Sequence, residues 1–108
     1  MNKLVSFFIA FLVLITSHNA GAVDQNVCEE GKTVVLHENG AVASCHLSEV
    51  YNTNGVQCNN RKATFYNNGS LESCELATAT NVDGTNCDQT GVIVFYPDGR
   101  LKSCRTAS

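Results

Sequence analysis

The sequence predicts an all-β fold: three tandem disulfide-linked β-hairpin repeats forming a short antiparallel array. Three observations carry this. Six cysteines bound three segments of nearly equal length. Each segment holds an Asn-Gly or Asp-Gly turn between two apolar runs, the strongest short-range hairpin signal. No stretch after the first 22 residues sustains the 3.6-residue apolar period of an amphipathic helix.

The chain of 108 residues opens with Lys3, an apolar run from Leu4 to Ile15 broken by Ser6, and Ala20-Gly21-Ala22. This is the pattern of a secretory signal peptide spanning 1–22, cleaved after Ala22. The run of 12 residues reaches only about 18 Å as a helix, too short for a hydrocarbon core of roughly 30 Å. Membrane insertion after cleavage is therefore not expected, and the product is secreted or periplasmic. The remaining 86 residues, 23–108, read as a single domain of three hairpin repeats. Only 18 of them are Leu, Ile, Val or Phe. A chain this small with so thin a core calls for covalent staples. Six Lys/Arg against ten Asp/Glu leave a net charge of −4, which gives no footprint for nucleic acid.

The repeats run from Cys28 to Cys45, Cys58 to Cys74 and Cys87 to Cys104, and each spacer between them has 12 residues. Their turns are Glu38-Asn39-Gly40, Asn67-Asn68-Gly69 and Pro97-Asp98-Gly99. Proline suits the first central position of a type I turn, and the following glycine suits a left-handed bulge. A three-residue loop then sets Leu36 opposite Val42, Phe65 opposite Leu71 and Phe95 opposite Leu101. The next pairs expected are Val34 with Ser44, Ala63 with Ser73 and Ile93 with Ser103. Neighbouring hairpins are expected to share the apolar face, because one alone cannot bury it.

Six cysteines allow fifteen connectivities, which the repeat reduces to two symmetric ones. Pairing within units joins Cys28 to Cys45, Cys58 to Cys74 and Cys87 to Cys104, and treats every copy alike. Pairing across spacers joins Cys45 to Cys58 and Cys74 to Cys87, and needs Cys28 to meet Cys104. The first is favoured because it leaves no cysteine at either end to find a distant partner. Structural zinc sites use closely spaced cysteine pairs, and no two cysteines here are closer than 13 positions. No metal or other cofactor is expected.

Catalytic constellations are not evident. His37 occupies a slot filled by Tyr66 and Tyr96 in the other copies, and His46 one filled by Glu75 and Arg105. Such variation reads as solvated surface rather than as a base oriented for catalysis. Glu29 and Glu30, or Glu72 and Glu75, lack an apolar setting that would raise a carboxyl pKa. The segment from Asn81 to Asp88 has part of the oxygen pattern of a calcium loop, though position twelve is Val92 rather than Glu; turn geometry also accounts for its Asn, Asp and Gly. Asn68-Gly69-Ser70 fits a glycosylation acceptor, relevant in a eukaryotic source.

The recurring F-Y-x-[ND]-G-x-L core, Phe65 to Leu71 and Phe95 to Leu101 with Leu36 to Val42 as a looser copy, resembles MORN-type hairpin repeats, particularly bacterial variants. The likeness covers the hairpins, under half of residues 23–108. It implies an elongated, curved antiparallel sheet and a role in contacts rather than catalysis. The expected function is an exported binding or structural module, not an enzyme, with a protein or cell-surface partner. His37, Tyr66 and Tyr96, in register on one face, form its candidate contact surface. The alternative is a small secreted effector, such as a toxin or protease inhibitor, acting through the least repetitive loop, Glu49 to Gly55, with Tyr51 at its centre.

Overall fold

The computed structural model describes residues 23–106; the signal segment expected at 1–22 lies outside the described residues. Among the described residues the fold is all-β, with ten strands, all paired antiparallel. Six of them form one sheet in the order β1 (Val35–Leu36), β2 (Val42–His46), β5 (Lys62–Phe65), β6 (Leu71–Glu75), β9 (Val92–Phe95) and β10 (Leu101–Cys104). These are the three predicted hairpins, laid side by side. Each spacer adds a two-stranded ribbon: β3 (Tyr51–Thr53) with β4 (Val56–Cys58), and β7 (Thr80–Val82) with β8 (Thr85–Cys87). The described helix is a single 3-10 turn, Gln25–Val27, capped by the Asp24 carboxylate.

The hairpin turns are the three-residue type that the sequence predicts. Gly40, Gly69 and Gly99 have φ of 88°, 88° and 91°. Their N–H groups donate to the carbonyls of His37, Tyr66 and Tyr96, each at 2.9 Å. A left-handed residue is nearly free of steric cost only for glycine. The ribbons turn on Asn54-Gly55 and Asp83-Gly84, with φ of 56° and 80°, and 51° and 85°. Two consecutive positive φ values make the tight two-residue hairpin loop whose twist matches its strands.

Beside the turns the register is as predicted: Leu36 faces Val42, Phe65 faces Leu71 and Phe95 faces Leu101. One step further it differs. Ser44, Ser73 and Ser103 face Val35, Thr64 and Val94, not Val34, Ala63 and Ile93. The reason is a β-bulge in the second strand of every hairpin, which leaves Ala43, Glu72 and Lys102 as extra residues. Val42 and Cys45 are both buried, at 0% and 3% exposure, as are Leu71 and Cys74, at 0% and 2%. Three positions apart on a regular strand they would point to opposite faces. One inserted residue brings both to the core.

All three disulfides join cysteines within units: Cys28–Cys45, Cys58–Cys74 and Cys87–Cys104, with no free cysteine. Three such bonds fit an oxidising environment. Each one ties the segment preceding a hairpin to that hairpin's second strand. The preceding segments thereby become covers, laid over one face of the sheet. Tyr51 in the first ribbon meets Phe65 edge-on, ring centroids 6.2 Å apart. At the N-terminal end the Val23 carbonyl accepts from Val42 N at 3.3 Å.

The core lies between sheet and covers. It holds Val42, Leu47, Val56, Ala63, Phe65, Leu71, Leu76, Ile93 and Phe95, together with five of the half-cystines essentially closed to solvent. Of the apolar face that the sequence assigns to the hairpins, Val42, Phe65, Leu71 and Phe95 are buried. Leu36 is 45% exposed and Leu101 half-buried, because their strands end the sheet and have a neighbour on one side only.

Candidate functional site

Among the described residues the opposite face of the six-stranded sheet is the open one, with Val35 and Val92 49% and 57% exposed. The register places one continuous row across it, Val35, Ser44, Thr64, Ser73, Val94 and Ser103. Thr64 Oγ1 and Ser73 Oγ lie 2.6 Å apart in a hydrogen bond at its centre. A second row runs through His46, Lys62, Glu75 and Val92, where Val92 is 57% exposed. Because β1 is only two residues long, the face has a notch at that end. It is a groove of about 280 Å³ whose lining includes Lys32, Val35, Ser44, His46 and Lys62.

The third row is the candidate contact surface. His37 Nε2 lies 2.8 Å from the Phe65 carbonyl, 28 positions along the chain. A carbonyl only accepts, so this nitrogen carries the hydrogen. Tyr66 does the same one repeat later, its hydroxyl donating to Phe95 O at 2.7 Å. Partial removal from water, and after it the Glu72 carboxylate, push the Tyr66 phenol above its ordinary pKa. These two side chains are staples between consecutive hairpins. Among the described residues no further hairpin stands beside Tyr96, which is 40% exposed. Arg100 Cζ and Lys102 Nζ lie 5.3 and 5.7 Å from its ring centroid, a cation–π arrangement.

The hairpin tips carry a parallel ladder. Asn39 Nδ2 donates to Asn67 O at 3.0 Å, and Ser70 Oγ donates to Pro97 O at 3.2 Å. At the last tip Asp98 accepts from Arg100 N at 3.0 Å and Arg100 Nε at 2.7 Å. Those two hydrogen bonds hold the Asp98 carboxyl below its usual range, and the side-chain one, followed by the carboxylate's charge, pushes Arg100 up.

The polar residues that vary between copies form contacting pairs that single columns of the repeat do not disclose. The residues after the two cysteines of a unit always meet. Glu29 is 3.4 Å from His46, Asn59 Nδ2 donates to Glu75 Oε1 at 2.9 Å, and Asp88 is 3.4 Å from Arg105. In each unit the backbone adds a 2.7 Å hydrogen bond from the first residue's N–H to the second's carbonyl. His46, Glu75 and Arg105 therefore latch their own disulfides. Among the described residues no three His, Cys, Asp or Glu side chains converge as a metal site would require.

The oxygen-rich segment from Asn81 to Asp88 is largely the second ribbon. Asn81 Nδ2 donates to Asn86 Oδ1 at 2.8 Å, and Asp83 Oδ2 accepts from Leu101 N at 3.1 Å. These groups clamp the ribbon to itself and to the third hairpin. In the other candidate loop, Glu49 to Gly55, Tyr51 is turned toward the core while Val50 is 49% exposed. No helix among the described residues is long and apolar enough to cross a membrane. Compared with known proteins, the chain matches no family model, no curated sequence and no solved structure.

Proposed function

We propose that the chain is an exported, disulfide-stabilised β-repeat protein, secreted or periplasmic, that serves as a binding or structural module without catalysis. The observation that carries this reading is the two-sidedness of the sheet. Three disulfides and their covers fix one face, while the other presents side chains in straight, regularly spaced rows. A rigid sheet with an open face suits recognition of an extended surface on a protein or cell-surface partner. The row through His37, Tyr66 and Tyr96 forms one side of the proposed contact area, with Tyr96 its most accessible member. The relation to MORN-type repeats belongs to the same proposal, supported by hairpins set edge to edge in one sheet.

Capture from the native extracellular or periplasmic fraction tests it, with oxidised protein as bait. Val92→Lys, at a side chain 57% exposed, places charge on the open face without touching the core. Loss of the captured partner with an unchanged urea melt supports the proposal. A partner retained by this variant removes the open face from consideration. The second reading, a small secreted effector, draws on exposed Val50 in the 49–55 segment. Loss of a toxic or inhibitory activity on Val50→Asp alone would favour it.

A further inference from the structure

We propose that this chain associates head to tail with further copies of itself, the open edge of β10 pairing antiparallel with the open edge of β1 in the next copy. The inference concerns the ends of the sheet and is independent of what the open face binds.

The chain makes the same junction twice. β2 meets β5 with Ser44 opposite Thr64 and Cys45 opposite Ala63; β6 meets β9 with Ser73 opposite Val94 and Cys74 opposite Ile93. A staple crosses each, from His37 to Phe65 O and from Tyr66 to Phe95 O. The two ends of the sheet are the unmatched halves of this junction. On β10, Ser103 and Cys104 stand where Ser44 and Cys45, or Ser73 and Cys74, stand before their partners. Tyr96 stands in the staple position, and among the described residues no hairpin lies beyond it. On β1, Val35 and Leu36 occupy the register of Thr64 and Phe65, yet they are 49% and 45% exposed. Continuing the register puts Ser103 opposite Val35 of the next copy and Tyr96 beside its Leu36 carbonyl.

The tips carry complementary charge. Ser70 reaches the Pro97 carbonyl across the second junction. In the repeat Arg100 takes the place of Ser70, and Glu38 the place of Pro97. The third junction therefore sets the Arg100 guanidinium, with Lys102 beside it, against Glu38 of the next copy. Asp98 cannot donate as Asn39 does, but its hydrogen bonds to Arg100 hold that cation at the tip. An open sheet edge is a template for another strand. Because the two edges differ, the contact is heterologous and grows as an open chain rather than closing on a dimer.

Sedimentation velocity on the processed, oxidised protein, from about 10 μM to about 1 mM, tests this. The expected result is a mass that rises with concentration past the dimer. Tyr96→Phe should weaken association about fivefold to tenfold, the worth of one hydrogen bond. Glu38→Arg alone and Arg100→Glu alone should each weaken it at least about tenfold, and mixing the two variants should restore it. Leu36→Lys, on an exposed side chain, should leave the protein monomeric with an unchanged urea melt, which keeps the test intact if Arg100→Glu folds poorly. A monomer throughout the range, a plateau at dimer, or association untouched by Leu36→Lys would overturn the proposal.

Discussion

Replacing disulfides one at a time by alanine pairs separates what the covalent link contributes from what the buried sulfur contributes. The sequence separations are 17, 16 and 17. Loop-closure entropy therefore assigns each bond about 3 kcal/mol, with differences of about 0.1 kcal/mol or less. Burial is not equal. Cys58 and Cys74 are 0% and 2% exposed and Cys87 is 1% exposed, whereas Cys104 is half-exposed on the last strand. A sulfur removed from a packed site costs roughly as much as a methylene, about 0.8 kcal/mol. Cys58→Ala with Cys74→Ala should then cost about 4.5 kcal/mol, and Cys87→Ala with Cys104→Ala about 4 kcal/mol. Urea unfolding of the oxidised protein, compared at constant m-value, measures both. The reasoning fails if the Cys87–Cys104 bond proves the costlier, or if either loss falls below about 1 kcal/mol.

Tyr66→Phe should lower stability by about 1 kcal/mol, because it leaves the Phe95 carbonyl without its donor; Tyr96→Phe should leave the monomer's urea midpoint unchanged. Gly40→Ala meets no atom within 4 Å, so its cost is purely that of holding alanine at φ 88°, about 1 to 2 kcal/mol by chemical denaturation. The folded pKa of Asp98 is depressed, so its contribution is present above the ordinary aspartate value and is lost as pH falls through the folded value. An NMR titration should show the Asp98 carboxyl titrating below the ordinary range and moving up toward it in Arg100→Ala.

The hairpins, their glycine loops and the disulfide pairing are legible in the sequence because each signal occurs in triplicate. A three-residue loop can be read from Pro97-Asp98-Gly99 alone, and the other two copies agree with it. The bulge is harder to see. Strict alternation from Leu71 sends Ser73 inward, and only the three-residue step from Leu71 to Cys74, repeated at Val42 to Cys45, reveals the extra residue. Nor does comparison of single columns expose the latches. His46, Glu75 and Arg105 look freely variable until each is set beside Glu29, Asn59 or Asp88, where the variation becomes paired. The roles of His37 and Tyr66 depend on the backbone of the next hairpin, 28 and 29 positions away, and no local pattern holds that information. The ribbon turns were present as Asn54-Gly55 and Asp83-Gly84, but their flanks are too polar to announce strands.

The covalent loops also determine how the molecule would answer a pull on its two ends. Tension entering at Cys28 leaves at Cys45 through sulfur, and likewise at the other two bonds, so the hairpins lie off the force-bearing line. Between Cys28 and Cys104 only the two spacers of 12 residues can pay out, roughly 80 Å at about 3.5 Å per residue. A stretched copy would lengthen only through its two spacers, up to that fixed limit, its three sheet hairpins still covalently looped.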